Sequence, residues 1–147
     1  MSHANLSDQE LEALLTSSTT IAMVGASSNP EKASHGIMQT LQRAGYRVIP
    51  VNPRESEVLG ERSYRSLIDV PERIDIVDVF RRAEDAPAIA DEAVTVGAKA
   101  LWLQTGIVSE EAAARARAGG LMVVMDACIG VTHARLRIPL KTTITAR

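Results

Sequence analysis

Three stretches of this chain share one form: a helix-like run, a glycine, then an apolar run. They are Ala44-Gly45-Tyr46, Val96-Gly97-Ala98 and Arg117-Ala118-Gly119-Gly120-Leu121. Glycine accepts the left-handed backbone that closes a helix, so each is a stop signal placed just before a strand. The apolar runs themselves, at 21–24, 46–51, 74–80, 100–103 and 121–125, are near-continuous rather than alternating. Strands buried on both faces have that pattern, as in a parallel sheet covered by helices. Helices predicted over 33–43, over 86–96 and from a Ser109 cap to Gly119 separate them. The expected fold is therefore α/β: a single doubly wound, Rossmann-like parallel sheet with helices on both faces.

Before the first strand, Leu6-Ser7-Asp8-Gln9-Glu10-Leu11 has the form of a capping box, with Ser7 as cap and Glu10 reaching back. It predicts a short helix over 6–16. One segment breaks the alternation. Between Val51 and Ile74 there is no long helix, and we expect a loop with a short strand and one helical turn before Pro71. A length of 147 residues, 46% of them hydrophobic, fits one domain over 1–147 with a tail at 137–147.

The balance of charge narrows the function classes. A net charge of −2 argues against nucleic acid or an anionic membrane surface as partner, since both are held by clustered Lys and Arg. Aromatic residues at 3% leave little for a base-stacking platform. No apolar run nears the roughly 18 residues of a membrane span. Asp8, Glu10 and Glu12 near the start do not fit a secretory signal. The lone Cys128 cannot pair within the chain, and together these features predict a cytoplasmic protein. Cys128, His3, His35 and His133 do not have zinc-ligand spacing, so no metal site is expected.

The stretch from Ile21 to Gly36 reads as a buried strand, a loop of small and hydroxylic residues, and the first turn of a helix. Free N–H groups at a helix start favour anions, above all phosphates. In an open α/β sheet, ligands lie beyond the C-terminal strand ends. The residues there are Gly25-Ala26-Ser27-Ser28, Asn52-Pro53-Arg54, Phe80-Arg81-Arg82, Gln104-Thr105-Gly106 and Asp126-Ala127-Cys128. The first three sets, with Lys32, combine N–H donors, hydroxyls and cations, which suits a ligand with a polyphosphate and a flat ring. A nicotinamide dinucleotide site needs Gly-x-Gly-x-x-Gly and an acidic residue after the second strand. Here Gly25 is followed only by Gly36, and Asn52-Pro53 stand where the acid would be. Arg54 suits a phosphorylated ribose, so an NADP-dependent oxidoreductase stays open as the second reading.

On these residues the chain resembles the small bacterial CoA-binding proteins of the CoA-binding-domain superfamily, whose fold matches the N-terminal domain of the succinyl-CoA synthetase alpha subunit. The likeness rests on Val24-Gly25-Ala26-Ser27-Ser28-Asn29-Pro30 with Lys32 and Ser34, and on Gly45-Tyr46-Arg47-Val48-Ile49-Pro50-Val51-Asn52-Pro53. Further on it includes Val77-Asp78-Val79-Phe80-Arg81, Trp102-Leu103-Gln104-Thr105-Gly106-Ile107 and Met125-Asp126-Ala127-Cys128-Ile129. The resemblance implies coenzyme A as ligand. By position, Gly25, Ala26, Ser27, Lys32 and Ser34 would cradle phosphate, and Asn52, Pro53 and Arg54 would border the adenosine with its 3′-phosphate. Phe80 and Arg81 would flank the nucleotide, while Gln104 and Gly106 would close the far side. No catalytic constellation accompanies these residues, so the expectation is a binding, sensing or partner module for CoA or an acyl-CoA. Monomer and homodimer stay open without preference, as does an acyl-transfer protein as partner.

Other residues read as structural. Cys128 has no neighbour in sequence that would activate its thiol. His133 has no identifiable nucleophile to serve. Asp75 and Asp78, three apart on a strand, face opposite sides of the sheet and are expected in structural or edge positions. Trp102 is expected in the core.

Overall fold

The computed structural model describes residues 5–141. His3 and the end of the expected tail, 142–147, lie outside them. Helix α1 (Asp8–Ser17) begins at the capping box. The Glu10 N–H donates to Ser7 Oγ at 3.2 Å, and the Ser7 N–H donates to Glu10 Oε1 at 2.9 Å. There follow β1 (Thr20–Val24), α2 (Ala33–Arg43) and β2 (Arg47–Val51). The irregular segment contains a small antiparallel hairpin, β3 (Glu57–Val58) and β4 (Glu61–Arg62), and a 3-10 turn at Leu67–Asp69. Then come β5 (Ile76–Val79), α3 (Ala86–Thr95), β6 (Ala100–Leu103), α4 (Glu110–Ala118), β7 (Met122–Val124) and α5 (Ile129–Arg135).

The main sheet has five parallel strands in the order β2-β1-β5-β6-β7. From β1 the chain winds outward to β2, then crosses back to β5 on the other side of β1. Strand order therefore reverses between β1 and β5, and a crevice opens beyond their C-terminal ends. Helices α3 and α4 cover one face, where Ala90, Ala93, Ala113 and Ala116 pack without exposed surface against Val77 and Leu101. Their small side chains let the helices lie close to the sheet. Helices α1, α2 and α5 cover the other face through Leu15, Met38, Leu41 and Ile129, against Met23 and Trp102. Trp102 is fully buried, and its indole N–H donates to the Ala127 carbonyl at 2.9 Å.

Both sheet edges are managed. Pro50, which has no N–H to give, sits in the edge strand β2, the place in a sheet that tolerates it. The hairpin segment runs alongside, with the Tyr64 N–H on the Pro50 carbonyl at 3.1 Å and the Asn52 N–H on the Tyr64 carbonyl at 2.8 Å. At the far edge, the Asn5 side chain exchanges two 2.8 Å hydrogen bonds with the Met125 backbone.

Helix α5 does not figure in the sequence reading. Of the structural or edge positions expected for Asp78, the structure gives it a structural one: it lies in β5, between β1 and β6, fully buried. Asp75 does have the structural place expected, with its carboxylate accepting from the Thr19 and Thr20 N–H groups at 2.9 and 3.1 Å. Burial alone would raise its pKa, but these bonds and Lys99 outweigh that and hold it below the usual carboxylate range. No helix among the described residues is long and apolar enough to cross a membrane.

Candidate functional site

The crevice between β1 and β5 is built on a glycine. Gly25 leaves β1 with φ +92°, and its N–H donates to the Val51 carbonyl at 2.9 Å. A Cβ here would strike the Phe80 carbonyl oxygen. The backbone of the first loop can therefore lie against the end of β5 only because position 25 has no side chain.

The loop then folds on itself. The Asn29 N–H donates to Ser27 Oγ at 3.0 Å, and the Glu31 N–H to Asn29 Oδ1 at 2.9 Å. The Ser28 N–H and hydroxyl both reach a carboxylate oxygen of Glu55, at 2.9 and 3.0 Å. Lys32 caps α2 without a side-chain bond to its backbone. The first N–H groups of α2, on Ala33 and Ser34, find no acceptor among the described residues. Both residues line a polar cavity of about 290 Å³, together with Gly25, Ser27, Lys32, Asn52 and Phe80. An anion placed there would meet free N–H donors, two hydroxyls and an ammonium.

Ala33 and Phe80 also line a larger, mainly apolar cavity of about 560 Å³. Its walls include Ile37, Ile107 and Cys128, with Gln104 and Thr105 as polar groups and Arg81 and Arg82 at its margin. Arg81 also borders a third cavity of about 320 Å³, beside Pro53, Arg65 and Ser66. Its guanidinium pairs with Asp85 at 3.0 Å, while Arg82 is turned outward toward Glu84 and Asp85.

The structure thus brings eight of the expected residues to the polar or the apolar cavity: Gly25, Ser27, Lys32, Ser34, Asn52, Phe80, Arg81 and Gln104. Pro53 lines the third cavity. The others stand apart. Ala26 buries its side chain in the core beneath, and its carbonyl accepts from Asn52 Nδ2 at 2.8 Å. Arg54 is exposed, outside the three cavities. Gly106 is also outside them, its N–H on Asp126 Oδ1 at 2.7 Å. Cys128, read from sequence as purely structural, is half-buried and lines the apolar cavity. Ala33 and Ile37 were missed as lining, although their spacing of four on a predicted helix puts them on one face.

Under the apolar cavity lies a polar contact within the sheet. Gln104 Nε2 donates to Asp78 Oδ1, and Gln104 Oε1 accepts the Ile129 N–H at 3.4 Å. The second oxygen of Asp78 has no partner among the described residues. Burial drives the Asp78 carboxyl up to about 8, against the opposing pull of the Gln104 hydrogen bond. At neutral pH it is mostly a protonated acid. At the opposite end of the strands, burial and the neighbouring Lys141 ammonium both lower the His133 pKa.

A strand, a glycine turn and a helix start thus meet at the reversal point of a parallel sheet, where open α/β folds place their ligands. Residues 19–134 match the CoA binding domain family. The chain belongs to that family. Within it, the chain is 43% identical over 130 residues to the uncharacterized protein YneT of Bacillus subtilis, covering 88% of this chain and 96% of that one. It is 29% identical over 129 residues to the alpha subunit of acetate–CoA ligase (ADP-forming) II of Pyrococcus furiosus, covering 79% of this chain. The match takes in only 28% of that subunit. Among solved structures, a hypothetical protein from Pyrococcus horikoshii superposes with a TM-score of 0.88 at 35% identity, over 93% of this chain and 99% of that one.

Proposed function

We propose that this protein binds coenzyme A or an acyl-CoA, with the phosphates over the loop after β1, and that it serves as a binding module rather than a complete catalyst. The observation that carries the reading is that two unlike cavities share the lining residues Ala33 and Phe80. The polar one, at the start of α2, offers Ser27, Lys32, Ser34 and the free N–H groups of Ala33 and Ser34 to phosphate. The apolar one begins at the same Ala33 and Phe80 and ends at Gln104 and Cys128. CoA has that division, a charged nucleotide joined to a long, weakly polar arm. Its arm occupies the apolar cavity in this reading, and its adenosine lies toward Asn52, Pro53 and Arg81.

The family supports CoA as the ligand class. The ligase subunit it resembles is more than three times as long as the matched region, and its acyl chemistry is said of that protein alone. In this chain, any acyl transfer would fall to a partner protein or to a second copy. We read residues 1–147 as one domain working in the cytoplasm, where a lone thiol stays reduced.

Isothermal titration of the ligand-stripped protein with CoA, NADP and ATP tests the reading. CoA is expected to bind more tightly than either comparator, and Ser27→Ala is expected to weaken it. Binding of NADP in preference to CoA would overturn the reading in favour of an oxidoreductase.

A further inference from the structure

We propose that the side-chain amide of Gln104, clamped from below by Asp78 and Ile129, reads a carbonyl oxygen of the ligand's acyl-pantetheine end inside the apolar cavity. This inference rests on the CoA reading above and deepens it.

Gln104 follows the last residue of β6 and is only 3% exposed, yet it contributes to the cavity wall. A primary amide offers two N–H donors and one carbonyl acceptor. Its oxygen is taken by the Ile129 N–H, and one N–H is taken by Asp78 Oδ1. The Ile129 N–H can only donate, so it takes the amide oxygen and turns the nitrogen toward Asp78. The second N–H is then left over, and no partner for it stands among the described residues. In a cavity walled mainly by Ala33, Ile37, Phe80 and Ile107, an unmatched donor selects for an acceptor. The acyl-pantetheine arm carries such acceptors, its amide carbonyls and, when acylated, the thioester carbonyl.

Asp78 is the positioning residue. It sits opposite Met23 of β1 and Trp102 of β6, neither of which competes for its carboxyl. A buried polar residue in the middle of a sheet costs stability unless it is partnered, and its one side-chain partner among the described residues is the amide of the cavity-lining Gln104. The pair therefore fixes a cavity-lining amide at the expense of the core.

The test is titration of the wild type, Gln104→Leu, Asp78→Leu and Asp78→Asn with CoA, acetyl-CoA and S-ethyl-CoA, the last lacking only the thioester carbonyl. Circular dichroism checks that each variant is folded. If the thioester carbonyl is read, the wild type prefers acetyl-CoA to S-ethyl-CoA by about tenfold, and Gln104→Leu abolishes the preference. If a pantetheine amide is read, Gln104→Leu weakens all three ligands about equally, by a similar factor. In either case Asp78→Leu reproduces the loss, and Asp78→Asn, which restores an uncharged acceptor for Gln104, recovers most of it. Unchanged affinities in Gln104→Leu, or no recovery by Asp78→Asn, would overturn the inference while leaving CoA binding intact. A wild type that binds none of the three would instead overturn the CoA reading, and this inference with it.

Discussion

The carbonyl oxygen of Phe80 stands where a Cβ on residue 25 would have to go. Two strands adjacent in the sheet, β1 and β5, thus release their chains into loops in contact, and the space between those loops is the crevice proposed for the ligand. Gly25→Ala places a methyl group against that carbonyl and holds an L-residue at φ +92°. The backbone conformation alone costs roughly 1–3 kcal/mol, and the clash forces the first loop away from β5. Thermal denaturation is expected to show a lower Tm, and titration a loss of CoA binding larger than the loss of stability explains. Wild-type affinity in a folded Gly25→Ala protein would mean that the loop's contact with β5 does not shape the site.

Lys32 is the one ammonium among the residues lining the polar cavity, and it has no ion-pair partner among the described residues. Lys32→Ala is expected to weaken CoA by roughly 10- to 150-fold, the scale of one charge-assisted phosphate contact. It should also reduce the salt dependence of binding, because screened attraction is what the variant has lost. Titration at two ionic strengths checks this. An unchanged salt slope would assign the phosphate contact to another cation, with Arg81 the nearest candidate.

How much of this was readable beforehand depends on where the determining contacts lie. The ends of α2, α3 and α4 were legible because Gly45, Gly97 and Gly119-Gly120 stop helices by a local backbone preference. The polar cavity after β1 was legible for the same reason, being one strand, one loop and one helix start in sequence. Helix α5 was not. Ile129-Gly130-Val131-Thr132 is a poor helix-forming run, and Cys128 provides no side-chain cap; the helix exists because Ile129, Thr132 and His133 are buried against the core. The apolar cavity went unread with it, since α2, β6 and the start of α5 meet there only in three dimensions. Ala26 and Arg54 were placed by position from the family resemblance, which does not say where a side chain turns: that of Ala26 enters the core and that of Arg54 faces outward.

Tyr46 closes the opposite end of the sheet. Its hydroxyl donates to the Leu15 carbonyl at 2.6 Å, the His133 ring meets it edge-on at 5.8 Å, and the Lys141 ammonium lies 4.9 Å from its ring centre. Burial raises its pKa to about 12, so the phenol remains a donor throughout the physiological range. Tyr46→Phe leaves the ring contacts and deprives the Leu15 carbonyl of its donor, at an expected cost of about 1–2 kcal/mol. Chemical denaturation measures it. Because Tyr46 lies at the far end of the strands from the crevice, CoA affinity should be unchanged, and a matching loss of affinity would show that the two ends are coupled.

Asp78 gives stability a pH dependence of unusual sign for a carboxyl. In the unfolded chain an aspartate ionises near pH 4, whereas in the fold burial keeps the proton on up to about 8. Between those values the native state holds a proton that the unfolded state lacks, so stability falls as pH rises, by up to about 1.4 kcal/mol per pH unit. The penalty is absent below about pH 4 and complete above the folded value. Asp75 and His133 slope the other way: the depressed carboxylate loses its contribution as pH drops through its folded pKa, and the depressed imidazole loses stability below the unfolded value for histidine. The wild-type curve alone would mix these effects. Asp78→Asn leaves Asp75 and His133 in place and removes only the buried acid. The difference in unfolding free energy between variant and wild type should therefore grow in favour of the variant from pH 5 to 8, then level off. Parallel curves across that range would mean that Asp78 ionises in the fold as it does in the unfolded chain, and that the sheet interior solvates its charge.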